Sequence, residues 1–568
     1  MAEDHALATP GTRGQTEVAE ALDATIQALT QATQVLRDIA AQLSGAGAPG
    51  DGAAAGAAVT INAYEDDPFS ERTPTTDPSP AELVSEPPPG TAPADLSWEI
   101  KDRRPAPGPH APGTSDFRYW NAETSLARAV GYWGSLVPAG TRWTTLDRRL
   151  QVRLNAGQDL NAFYSRLAGL RFFEQTVNGT TIASGDSPDV IRHELGHAVL
   201  DAIRPELFDA ASIEADAFHE AFGDISALLA ALERPSFRQK VLSETGGRLN
   251  RNSRLSRIAE QLGWGIRQLA PQAVDRDSLR NAANRFAYRA PATLPAEAPA
   301  TQLSTGPHSF SRVFTGAFLD VLAAMLDTTG NADDASLETV TQDLGQLLVD
   351  GVLTAPITPA YFSQVAAAMV QAAKVRNGGL YRSAVLGAFV ERGILDLVTA
   401  RTLETAPLPS FRADDAGVPP AAAAAAGSGT GRGGPSVVLG YGAAPSTGYR
   451  ADATSAPGLP LQSVPAEFLD QPVLCHAPAE PARFSAAPAL YNPAVAGPSD
   501  TADSARHFLA TLVQLGRIDP GPAAGMVRGP SPRSREARTH RLDPQDGGLV
   551  LKRIQFQCSC RPGLPASR

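Results

Sequence analysis

Cysteine is almost absent, with three in 568 residues, and two of these, Cys558 and Cys560, sit close to the last residue. No disulfide framework can therefore carry the fold. Lysine and arginine number 49 against 60 aspartates and glutamates, giving a net charge of −11, and nowhere form a long run. A phosphate-tracking surface is excluded, and nucleic acid with it as an expected partner. No stretch approaches the roughly eighteen uninterrupted apolar residues of a membrane span. The opening MAEDHALATPGTRGQTEVAEALD has neither the basic nor the apolar portion of a secretory signal. The expectation is a protein with no membrane partner, cytoplasmic or exported by a non-classical route.

Glycine and proline are present in quantity but unevenly placed, which divides the chain. Residues 1–15 read as disordered. From Thr16 to Ser44 both are missing, and Leu22, Leu29, Leu36 and Leu43 recur every seven residues. The second seam, Ala19, Ile26, Thr33 and Ala40, is weak, so 16–44 is either a coiled coil that lets the chain self-associate or a frayed amphipathic helix. Residues 45–115, as in TTDPSPAELVSEPPPGTAPADL, are too rich in Pro, Ala and Gly to offset chain entropy and read as a disordered linker.

Patterned sequence begins near Phe117. SLARAVGYWGSL reads as a helix, RRLQVRLNA and GLRFFEQTV alternate like strands, and Asn178-Gly179 marks a turn. Long helical periods follow at about Asp189–Ala202, Ile213–Leu232, Ser309–Leu326, Ala335–Val352, Thr358–Lys374 and Leu380–Leu395. A strand-containing half followed by a helical half predicts one α+β unit over 116–405, with a cleft between its lobes. Residues 406–499 read as low-complexity linker, and 500–568 as a small C-terminal module whose role the residues do not reveal. Cys475-His476 and Cys558-x-Cys560 are either soft metal ligands or isolated thiols.

Within VIRHELGHAVLD, His193 and His197 stand four residues apart, on one face of a helix, where both can hold one metal ion. Glu194 lies beside that ion, placed to take a proton from its water. Downstream, IEADAFHEAFGDISALL offers Glu220 as a third ligand and Asp224, one turn on, as partner for the other ring nitrogen of a ligand histidine. The bland alternative is a solvated acidic stripe, against which the apolar neighbours Phe218, Phe222, Ile225 and Leu228 argue.

These residues resemble the thermolysin-like zinc metallopeptidases of the gluzincin group, whose HExxH is followed by a helix reading roughly NEAxSD; here that helix reads HEAFGDI. The resemblance implies a two-lobed fold with a shortened strand-containing N-terminal lobe and a helical C-terminal lobe. It implies a zinc endopeptidase acting on a peptide or protein substrate, with one zinc on His193, His197 and Glu220, and Glu194 as general base. LNAFYSR is similar to the family's edge strand, which implies substrate binding by Asn161 and Ala162. DSLRNAANR implies a substrate-binding role for Arg280, otherwise a surface charge, and STGPHSFSRVFTGAF implies transition-state stabilisation by His308, otherwise a capping or buried histidine.

Three positions depart from the pattern. Phe208 stands where the family has a tyrosine, Leu303 stands near the place of the acid that orients the histidine, and Ala231 replaces a calcium-binding Glu. Asp189 alone cannot supply the roughly six to eight oxygens of a calcium ion, so calcium of the family type is not expected. The competing expectation is a catalytically weak scaffold or binding module on the same fold.

Overall fold

The computed structural model describes residues 59–71, 81–405, 458–466, 468–469, 471–478, 501–521, 538–545 and 548–558. The N-terminal heptads, most of the 406–499 segment and Cys560 lie outside the described residues. The fold is mixed α+β, as expected.

The site is framed by a helix pair. Helix α1 (Ser115–Leu136) starts at Thr114, whose hydroxyl accepts from Phe117 N. Helix α2 (Pro188–Ile203) is capped by Ser187, which accepts from Val190 N, and has Pro188 at its first position. Helix α3 (Ile213–Ala231) is capped by Ser212 and buried along its whole length. Two glycines let α2 and α3 approach. A Cβ on Gly196 would stand 2.9 Å from Gly223 Cα, and one on Gly223 would stand 2.7 Å from the ring of His193. Trp133 of α1 locks the pair from behind, stacking on Phe222 at 4.9 Å and donating its indole N–H to Ser226, whose hydroxyl donates to Arg192 O.

Helices α4 (Pro235–Thr245), α5 (Glu260–Leu269), α6 (Pro307–Thr329), α7 (Asp334–Thr354), α8 (Tyr361–Val375), α9 (Arg382–Glu391) and α10 (Leu397–Thr405) complete the helical half. Helix α6 is long and apolar enough to cross a membrane, but 83% of that apolar window is buried inside the fold, where it packs as a core helix.

The strand half holds more chain than the composition suggests. Residues read as a disordered linker supply the hairpin β1 (Ile61–Tyr64) and β2 (Leu83–Glu86) and the strand β3 (Trp98–Ile100). Apolar anchors explain the correction: Ile61, Phe69, Leu96, Trp98 and Ile100 are buried in the common core, so short apolar runs offset the entropy of the Pro-rich connections. Strands β4 (Leu150–Arg153), β5 (Ala162–Ser165), β6 (Gly169–Phe172), the hairpin β7 (Glu174–Val177) with β8 (Thr180–Ala183), and the short pair β9 (Arg257–Ile258) with β10 (Arg280–Asn281) follow. The turn of the β7–β8 hairpin is Asn178-Gly179, both at positive φ, as its residues predict.

The C-terminal module is larger than 500–568. It also takes in β11 (Leu461–Val464) and β12 (Val473–His476) from the supposed linker. With β13 (Ile518–Asp519), β14 (His540–Gln545) and β15 (Gly548–Arg553) they form a five-stranded sheet in the order β11-β12-β15-β14-β13. Helix α11 (Thr501–Gln514) buries Phe508, Leu509 and Leu512. The last described strand, β16 (Phe556–Gln557), leaves this sheet and joins the other one, whose order is β16-β5-β6-β4-β3.

Candidate active site

The facing surfaces of α2 and α3 bring the sequence-predicted residues together. The metal-binding atoms of His193, His197 and Glu220 all lie within 4.8 Å of one another, and all three residues are buried. Glu220 Oε2 stands 3.4 Å from His193 Nε2 and 3.8 Å from His197 Nε2. With metal–ligand bonds of roughly 2.1 Å, two ligands of a tetrahedral ion stand about 3.4 Å apart, so these separations fit neighbours around one centre. Apart from the contact of Glu220 Oε2 with His308 at 3.0 Å, both Nε2 atoms and Glu220 Oε2 lack a well-aligned hydrogen bond. Buried polar atoms left so are costly, and a divalent ion bound by two imidazoles and a carboxylate satisfies all three.

Each of the two histidines is held by its other ring nitrogen. Asp224 Oδ1 lies 3.0 Å from His193 Nδ1. The same carboxylate takes both Nε and a terminal nitrogen of Arg280, the latter at 2.6 Å. Burial raises the pKa of Asp224, but Arg280 and His193 outweigh it and bring it down to about 2. On the other ring, His197 Nδ1 lies 3.1 Å from His219 Nδ1. Burial keeps His219 neutral, its pKa well below the ordinary histidine value, so it can accept the proton that a metal-ligating His197 carries on Nδ1. The sequence gives His219 no role of its own; its one signal there is its place beside Glu220.

Glu194 is fully buried, and neither of its oxygens carries a hydrogen bond. Burial pushes its pKa up to about 8. His308, at the start of α6, puts Nε2 3.0 Å from Glu220 Oε2 and within hydrogen-bonding distance of Gln557 O. Leu303 offers His308 no acid, and the partners of this histidine come instead from α3 and β16.

Strand β5 lies along the cleft with its position fixed by Asp201 at the end of α2. That buried carboxylate accepts from Tyr164 at 2.7 Å and from Arg166 at 2.6 Å. Asn161 precedes the strand, its side chain accepting from Ala162 N and its carbonyl from Ser184. Ala162 O accepts from Cys558 N at 2.9 Å. Phe208 is buried; it meets Tyr164 and Phe556 edge to face and carries the Arg166 guanidinium over its ring at 4.1 Å. It offers no hydrogen-bond donor.

The open side of the site is covered by the chain's own β16, from the segment expected to form a separate C-terminal module. Phe556 pairs with Tyr164, and Gln557 with Phe163, antiparallel. The ring of Phe556 stacks on His219 at 3.9 Å and on His197 at 4.8 Å. Arg280 donates to Cys558 O at 3.3 Å. The Cys558 thiol, a His193 ring nitrogen and a Glu194 oxygen all fall within 4.8 Å of one another. Cys475 instead lies buried in β12, and His476 contacts Leu459 O and Lys552, so the two cysteine pairs form no common ligand group among the described residues.

A second cluster lies at the start of α2. Asp189 does not stand alone: Asp66 and Glu260 bring carboxylate oxygens within 4.8 Å of it, and Asp67 adjoins them, bonded to Ser187 and to Gln261 N. Burial and the neighbouring acids push Asp66 and Asp189 up to about 7. Asp66 Oδ2 and Glu260 Oε2 are buried without hydrogen bonds. Asp66 and Asp67 come from a segment whose composition reads as linker, so the sequence around Asp189 does not reveal the group.

No protein-family model matches the chain, and no curated protein matches it.

Proposed function

We propose that the chain is a zinc-dependent endopeptidase with a thermolysin-like arrangement of its catalytic half. The observation that carries this is the convergence of His193, His197 and Glu220 on one buried point, with the carboxylate of Glu194 beside it and free of hydrogen bonds. A purely structural ion would have no use for that carboxylate.

His193, His197 and Glu220 would hold the zinc. When bound, zinc acts as a Lewis acid that acidifies water and polarises a carbonyl. Glu194 would accept the proton of the attacking water and deliver it to the leaving amine, its carboxylate being buried beside the three ligands and free of hydrogen bonds. His308 donates from Nε2 to the carbonyl oxygen as it gains charge, an interaction typically worth about 3 kcal/mol in the transition state. Arg280 donates to the next carbonyl along, and Ala162 O accepts the intervening N–H, so the substrate adds as a strand to β5. Asp224 and His219 keep the two ligand rings in orientation.

Metal analysis and peptide hydrolysis by the native chain and Glu194→Gln test this. The expected result is about one zinc per chain in both proteins and chelator-sensitive cleavage in the native protein alone. Failure to bind zinc, or cleavage that survives the substitution, contradicts it. A second reading, a zinc-holding scaffold with little hydrolysis, is favoured by Phe208, which puts a hydrocarbon ring where the resemblance implies a phenol.

A further inference from the structure

The contacts of β16 fall on the groups that a substrate of such an enzyme would use. One main-chain carbonyl, of Gln557, meets His308; the next, of Cys558, meets Arg280; the N–H between them meets Ala162 O. The pairing with β5 is antiparallel and in register. The bond between Gln557 and Cys558 is therefore where a scissile bond would lie, and the Cys558 thiol stands beside Glu194, where the attacking water is needed.

The occupant is held too firmly for a chance contact. Phe556 is buried against His197, His219 and Phe208, so its release would expose a whole aromatic ring to water. Arg553, three residues before it, donates from its side chain to Asp216 at 2.6 Å and to Phe208 O at 2.7 Å and from its main-chain N–H to Asp209, and lies over Phe556 at 4.0 Å. Farther back, Ala211 N donates to His476 O at 2.8 Å, so β12 is also fastened to the loop between α2 and α3. Gln557 Oε1 accepts from Arg517 at 2.7 Å, which ties the strand to its own module.

We propose that the C-terminal module is an intramolecular inhibitor, which places Phe556-Gln557-Cys558 in the cleft as a substrate-like strand and closes the site to other peptides. This rests on the endopeptidase reading for its consequence, but the occlusion can be measured without catalysis. Strand addition supplies the binding energy, while the Phe556 stack and the Arg553 clamp set the register.

The test uses the full chain with Glu194→Gln, so that nothing is cut, and the same chain with Phe556→Glu added. A chain ending at Gln555 is the third protein, and the probe is a fluorescent peptide of residues 552–559. Occlusion lowers apparent affinity by the fraction of molecules whose cleft is open, so both altered proteins should bind the probe about tenfold or more tightly than the full chain. Equal binding by all three, or no binding by either altered protein, overturns the proposal. With Glu194 restored and zinc present, Phe556→Glu should raise kcat/KM for an extended peptide by a similar factor. Occlusion relieved without any hydrolysis would leave the inhibitor strand standing and sink the endopeptidase. Intact-mass analysis of the native chain should show it whole; a rapid cut between Gln557 and Cys558 would make the strand a substrate and overturn the inhibitor.

Discussion

Gly223 faces His193 so closely that a single methyl group there would stand 2.7 Å from the imidazole ring. The absence of a side chain on α3 at this position is therefore part of what orients the His193 ring. Gly223→Ala should displace the ring and weaken zinc binding by about 10–100-fold, the usual cost of disturbing what orients a ligand. Overpacking should cost about 1–3 kcal/mol of stability. Competition with a chromogenic chelator reads the first effect and urea unfolding the second; unchanged zinc affinity would mean that α2 and α3 part freely.

Asp224 carries two duties, and its loss should show both. Asp224→Ala frees His193 Nδ1 and leaves the Arg280 guanidinium buried without its carboxylate. Breaking a buried pair in this way typically costs about 3–5 kcal/mol. The expected outcome is a marked drop in the unfolding midpoint together with weaker zinc retention. His219→Ala should weaken zinc retention with a smaller stability loss, since no charge is stranded.

Glu214 gives a pH dependence independent of the metal site. It is buried, accepts from Tyr288 at 2.7 Å and from Phe362 N at 2.9 Å, and burial raises its pKa from 4.5 to about 7. The folded chain therefore keeps a proton that the unfolded chain has already released between those values. Its contribution is complete below pH 4.5 and is lost as pH rises through about 7. The loss is on the order of 3 kcal/mol, and Glu214→Gln should flatten the curve over that window. A native chain whose stability, relative to Glu214→Gln, does not fall from pH 4.5 to 7 would contradict this assignment.

Calcium is not expected on Asp189 alone, but Asp66, Asp67 and Glu260 meet it in the fold, and the four acids together should respond to a divalent cation. Calcium at about a hundred times its dissociation constant should raise stability by about 2.7 kcal/mol, and Glu260→Gln should abolish most of that gain. An unfolding midpoint that is indifferent to calcium in the native chain would mean that Arg192, Arg254 and Arg257 are the only counter-charge the cluster uses.

Arg553→Met should loosen the C-terminal module. It strands Asp216 in a buried position and removes the cap on the Phe556 ring. Hydrogen exchange at Phe556 to Cys558 should accelerate while that of α2 stays slow. Equal protection in both proteins would show that the strand is held by β5 alone.

Local chemistry explains what could be read from the sequence. His193, His197, Glu220 and Asp224 lie on two adjacent helices whose periods and caps are strong, so four-residue spacings were enough to align them. Arg280 and His308 are brought in by tertiary packing that spacing does not show, and only resemblance pointed to them. Composition hid the rest. The chain around Asp66 and Trp98 is Pro-rich yet anchored by a few buried apolar residues, and β12 sits among low-complexity sequence. The pairing of β16 with β5 joins residues nearly four hundred apart, and neither strand names its partner. His219 carries no signal of its own in the sequence, because its partner His197 lies 22 residues away on the other helix.

The most direct test of the account is peptide hydrolysis by the zinc-loaded Phe556→Glu chain, with and without Glu194→Gln. The account predicts chelator-sensitive cleavage in the single variant and none in the double variant, with zinc content equal in the two. Zinc fully retained with no cleavage in the single variant, although its cleft binds peptide, would contradict it.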